Sequence, residues 1–163
     1  MKQKQNGPYR GLIRAQAGIQ RQRHAGGSFV ATVERLHVPI VITDSAFPIH
    51  PIIFSNNAFL RLIGYSLGEV LSRSFQDFMG PDVDLAVMAL LDDAFEKSEE
   101  AEIRLYRNDG WPIWVSIFVS PILDSAGTAI QRTVSFLDVS RRRAAEDELR
   151  RSNIRCQRKF IGI

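Results

Sequence analysis

The side chains best able to do chemistry are three histidines (His24, His37, His50), one cysteine (Cys156) and two carboxylate groups, Asp92, Asp93 and Glu96, then Glu99, Glu100 and Glu102. A metal centre needs several such ligands drawn together at a recognisable spacing. The histidines are instead scattered, and the carboxylates lack the spacing of a calcium loop. One thiol permits no internal disulfide and no cysteine metal cluster. Ser, His and Asp occur without a nucleophile elbow or a phosphate loop. The chain is therefore expected to be no enzyme and to hold no metal, with the acids forming a solvated face.

Length and charge narrow the class further. A chain of 163 residues suits one domain with extensions, and 45% apolar with 24% charged residues is the balance of a globular protein. The longest uncharged stretches, Ala46 to Leu60 and Gly110 to Leu123, contain prolines and fall short of the roughly 18 to 20 apolar residues that cross a bilayer. No apolar run follows Met1-Lys2-Gln3-Lys4, so a cytoplasmic protein without a membrane partner is expected. Residues 1 to 28 carry +6, residues 29 to 139 carry −8 and residues 140 to 163 carry +5. Basic ends can attract nucleic acid, but these lack interleaved aromatics and any reading motif, so nucleic-acid binding is not expected.

The elements follow from periodicity. Residues 1 to 27, rich in Gln, Arg and Gly, read as a flexible basic leader. From Ser28, Phe29, Val33 and Leu36 recur at helical spacing, which predicts a flanking helix within 28 to 38. A domain then spans 39 to 139. Pro39 to Thr43 and Ile52 to Phe54 read as paired strands, and a helix from Asn56 to Ile63 is closed by Gly64. Ser66-Leu67-Gly68-Glu69 is a capping box, flanked by Tyr65 and Val70 as a hydrophobic staple. Asp84 to Lys97 reads as a helix whose apolar side is Leu85, Met88, Ala89, Leu91 and Phe95. Glu102 to Arg107, Pro112 to Leu123 and Ala129 to Val139 alternate as strands around the turns Asn108-Asp109-Gly110 and Asp124 to Gly127. This order predicts an α+β domain, a single five-stranded antiparallel sheet with short helices on one face. Residues 140 to 163 form a basic helix and tail.

Asn57-Ala58-Phe59-Leu60, Gly64-Tyr65-Ser66, Glu69, Asn108-Asp109-Gly110 and Leu137-Asp138-Val139-Ser140 together resemble a PAS sensor domain over about residues 30 to 140. Gly80-Pro81-Asp82, Trp114 and Ser120-Pro121 bring it nearer the flavin-binding light sensors of that family, the LOV domains. The resemblance implies the PAS fold, with flanking helices at both ends. It also marks departures. Phe75 stands where LOV domains have the adduct-forming Cys, Ser74 where they have Asn, Gln76 and Asp92 at two phosphate-binding Arg positions, and Met79 at a Gln. Leu105 and Val115 replace the Asn pair that holds the ring edge, Phe136 the relaying Gln, and His50 another Asn, while Val41 and Thr43 match. No His falls on the long helix, where haem-binding PAS domains place one.

Strand alternation puts Ile103, Leu105, Val115, Ile117, Val119, Val134 and Phe136 on the inner face, all apolar. A flavin ring edge finds no donor there, so no cofactor is expected. Phe75, Met79, Leu105, Val115 and Phe136 either fill the interior or line a pocket for an apolar ligand. On the outer face Tyr106, Trp114, Phe118 and Leu137 make an apolar patch, which with Phe29, Val33 and Leu149 of the flanking helices predicts a contact surface. A homodimer is expected, with a histidine kinase or another signalling protein as the other partner. Three arginines, Arg141 to Arg143, oppose the dipole of the last helix and should meet acids of the body or a partner. The expected function is sensory or interactive, with an apolar-ligand sensor as the alternative.

Overall fold

The long alternating runs in the second half of the chain can bury their apolar residues only by pairing, and they pair as a meander. A computed structural model describes residues 16–17, 28–81, 83–97 and 99–161, with Ser28, Phe29 and residues 156–161 described in backbone only. The remaining leader residues, the Phe29 and Cys156 side chains and Asp82 lie outside the described residues. The elements are α1 (Ser28–Arg35), β1 (Ile40–Asp44), β2 (Ile52–Ser55), α2 (Asn57–Ile63), α3 (Leu67–Val70), a 3-10 turn (Phe75–Phe78), α4 (Leu85–Lys97), β3 (Glu100–Tyr106), β4 (Pro112–Leu123), β5 (Ala129–Asp138) and α5 (Ser140–Ile161). The five strands form one antiparallel sheet in the order β2-β1-β5-β4-β3.

Local chemistry sets the helix ends. Asn56 caps α2 by accepting from the Phe59 N–H, and Gly64 closes it with φ +77°. The Glu69 carboxylate accepts from both the backbone N–H and the hydroxyl of Ser66, at 2.9 and 2.7 Å. A second box, unforeseen in the sequence, sets the 3-10 turn, where Asp77 accepts from the Ser74 N–H at 3.0 Å.

Two cores lie on the two faces of the sheet. On the inner face α2, α3, the 3-10 turn and α4 cover Ile103, Leu105, Val115, Ile117, Val134 and Phe136. On the outer face Val30 and Val33 of α1 pack on Ile42, Ile53 and Phe54. The apolar stripe of α4 differs from the periodicity reading: Leu91, Ala94 and Phe95 are buried, whereas Leu85 and Ala89 are exposed. Residues 85, 89, 92 and 96 share one side of a 3.6-residue helix, and Asp92 and Glu96 take that side to solvent.

Gly80 and Gly127 both have φ +81°, but a Cβ at Gly80 would sit 2.6 Å from the Tyr106 ring whereas one at Gly127 would meet nothing within 4 Å. Gly127→Ala should therefore cost only the left-handed backbone term of roughly 1 kcal/mol. Gly80→Ala should cost at least about 1 kcal/mol more, a clash term of overpacking size, read as a lower urea midpoint. Equal midpoints would show that Tyr106 yields freely.

Candidate functional site

The interior is closed by a row of rings. Phe75 from the 3-10 turn lies 5.6 Å, centroid to centroid, from Phe95 of α4 and 5.6 Å from Phe136 of β5. Phe136 meets Phe59 of α2 at 4.7 Å, and Phe95 stacks on His50 at 4.9 Å. Phe75, Met79, Leu105, Val115 and Phe136, the five residues singled out for the interior, belong to one buried cluster. Phe59 and Phe95 complete the row without having been singled out. Helical spacing placed Phe95 on the apolar side of its helix, and Phe59 entered only through the resemblance, so neither was marked as a partner in the row. Arg132 of β5 fixes the end of the row, its Nε donating to the Phe95 carbonyl at 2.7 Å and its guanidinium to Ser45 Oγ at 2.6 Å.

His50 closes the row at the loop between β1 and β2. Its φ of +45° is left-handed, and its Nδ1 is buried without a partner, as is Thr43 Oγ1. Burial, and then the nearby Arg132, hold its pKa below the ordinary 6.5, against weaker pulls from Asp44 and Asp92. The crevice that His50 lines with Ser74, Phe75, Gln76, Asp92 and Phe95 measures about 20 Å³. That is room for about one water. A larger cleft of about 230 Å³ opens at the β3 edge among Met79, Val83, Val87, Glu102, Ile103 and Trp114.

The outer face is half covered. Val33 is buried against its own domain by α1, while Phe118 and Leu137 stand 42% and 57% exposed on β4 and β5. Leu149 of α5 is also exposed, and Tyr106 and Trp114 are half-buried. Trp114 is covered by its own chain: the Arg143 guanidinium lies 3.7 Å from its ring centroid, and the Trp114 backbone N–H donates to Ser140 Oγ at 3.0 Å. Arg142 and Arg143 both pair with Glu102 of β3. Two of the three first-turn arginines thus meet an acid of the body, and Glu102 leaves the solvated acidic cluster for a structural role. Among the described residues no three His, Cys, Asp or Glu could hold a metal ion, and no helix is long and apolar enough to cross a membrane.

Comparison with known proteins fits this architecture. A family model described as a PAS domain matches residues 37–141. The chain belongs to the PAS domain family. A blue-light-activated histidine kinase of Brucella anthropi is 32% identical over 114 residues, which cover 69% of this chain and 23% of that protein. Phototropin-2 of Oryza sativa subsp. japonica is 35% identical over 108 residues, 65% of this chain and 12% of that protein. The chain thus spans less than a quarter of these curated relatives. Among solved structures, an RNA-binding light-oxygen-voltage receptor superposes with a TM-score of 0.72 at 26% identity, over 78% of this chain and 37% of that one. The light state of the Aureochrome1 LOV domain gives 0.58 at 30% identity, over 71% and 91%. The PAS domain described here is similar to the LOV photoreceptor domains.

The His50 geometry has a pH signature. With the folded-state pKa lowered, the unfolded chain takes up the proton first, so this contribution is whole above about pH 6.5 and is lost as pH falls below it. The thermal midpoint of the wild type should drop below pH 6.5 more steeply than that of His50→Asn, whose side chain also tolerates the left-handed backbone. Parallel curves would show that His50 is not the group responsible.

Proposed function

We propose that this PAS domain is a LOV-like sensory and interaction module that holds no flavin, forms no light-driven adduct and performs no catalysis. The observation that carries the reading is the row of rings through Phe59, Phe136, Phe75, Phe95 and His50. If the resemblance to LOV domains holds position by position, an isoalloxazine would lie where these rings touch. Its carbonyls and imide would face Leu105, Val115 and Phe136, which offer no donor or acceptor, at a cost of about 1–3 kcal/mol for each polar group left unpaired. Phe75 provides no thiol, and the Asp92 carboxylate beside Gln76 in the crevice would repel a phosphate. The residues present do not fit the cofactor. Within the row of rings an apolar ligand fits little better, since ligand pockets run to about 300–1,000 Å³ and the crevice at Phe75 measures about 20 Å³; the cleft of about 230 Å³ beside Met79 opens at the sheet edge instead.

Output in this reading is contact. Phe118 and Leu137, beside the root of α5, offer an apolar surface to a second copy, with a histidine kinase or similar signalling protein as the other candidate partner. A switch of this kind needs two packings that differ in partner affinity.

Freshly purified protein should lack the blue absorption of flavin; a band that survives desalting would end the flavin-free reading. In light scattering coupled to size exclusion the wild type should run as a dimer and Phe118→Ser/Leu137→Ser as a folded monomer. A monomeric wild type would refute the pairing.

A further inference from the structure

Asn56 is fully buried, and its side chain uses all four of its hydrogen-bonding positions. Oδ1 accepts from the N–H of Ile40, where β1 begins, and of Phe59 in the first turn of α2, both at 3.0 Å. Nδ2 donates to the Val33 carbonyl in the last turn of α1, at 3.1 Å, and to the Val38 carbonyl in the following linker, at 2.9 Å. One amide therefore joins the flanking helix, its linker, the sheet and the helix that carries Phe59. The Phe59 ring in turn touches Phe136 in the row that fills the interior.

We infer that Asn56 is a positioning residue that makes α1 move with the interior, so that α1, and not α5, is the flank through which a change in the core is read. Magnitudes decide between the two flanks. The root of α5 is held at Trp114 by Ser140 and Arg143 and at Glu102 by the partly exposed Arg142 and Arg143, ion pairs that contribute little in water, and none of these contacts reaches the row of rings. α1 is held by the buried bond from Asn56 to the Val33 carbonyl, which also accepts from the Leu36 N–H, by the partly buried bond to Val38 in its linker, and by the packing of Val30 and Val33. A shift of Phe59 moves the first turn of α2, which Asn56 caps, and through the same side chain the end of α1. The inference takes its signalling meaning from the sensory reading but does not depend on dimerisation.

Hydrogen exchange on the full chain tests it. In the wild type, amides of residues 31 to 35 should exchange as slowly as those of α2, and those of α5 beyond Arg143 much faster. Asn56→Asp keeps both accepting roles and replaces the donating Nδ2 by an oxygen that faces the Val33 and Val38 carbonyls, so exchange in α1 should rise roughly 10- to 100-fold, the loss of one buried and one partly buried hydrogen bond. Exchange in α2, β4 and β5 should stay unchanged. Phe136→Leu should accelerate α1 in the wild-type background and not in Asn56→Asp.

A uniform rise in every element, or unchanged protection of α1 in folded Asn56→Asp, would overturn the inference. If that variant does not fold, the wild type decides, because α1 exchanging as fast as the exposed part of α5 would overturn it equally. A monomer with protected α1 would sink the pairing proposal and leave this one standing.

Discussion

Ring-on-ring packing between Phe75 and its neighbours Phe95 and Phe136 is the constraint on which the rest of the molecule depends. Protein interiors fill to crystal-like density, and here the space between α4, the 3-10 turn and the sheet is taken by side chains of the chain itself. Five elements meet in this row: the β1–β2 loop through His50, α4 through Phe95, the 3-10 turn through Phe75, β5 through Phe136 and α2 through Phe59. A domain of similar fold that binds a cofactor must keep polar groups facing inward and satisfy them. This one presents an inner face that is apolar over β3, β4 and β5, with Thr43 of β1 as its buried polar member, and such a face packs well only when nothing polar enters.

Filling the interior transfers the informative chemistry to the edges. Polar contacts gather where elements join: Arg132 at the end of α4, Asn56 between α1 and α2, and Glu102 with Trp114 at the root of α5. Each holds a junction, and none is arranged as acid, base or nucleophile. The outer sheet face is closed over β1 and β2 by α1 and open over β4 and β5. A flanking helix and an apolar half-face lie side by side there.

Strands, turns and capped ends were legible in the sequence because their signals are local. Alternation from Pro112 to Leu123 gives β4 without error, and the Ser66–Glu69 box gives the start of α3. The inner and outer faces of the sheet were equally readable, since a period of two leaves no choice once the strands pair. The burial of Phe75, Met79, Leu105, Val115 and Phe136 followed from that alternation and from the resemblance. What the sequence hid is non-local. Nothing near Asn56 announces that its amide reaches a carbonyl 23 residues earlier. Glu102 looks like any acid of a charged run until β3 carries it to Arg142, 40 residues away. The solvent side of α4 was misread at Leu85 and Ala89 because both share the helix side that Asp92 and Glu96 turn to solvent.

The packing of the rings is itself measurable. With aromatic protons assigned, nuclear Overhauser spectra in the presence of excess flavin mononucleotide should show cross-peaks joining Phe75 to both Phe95 and Phe136, unchanged by the nucleotide. Loss of those cross-peaks, with new ones from the flavin ring to Phe75 or Val115, would contradict the account.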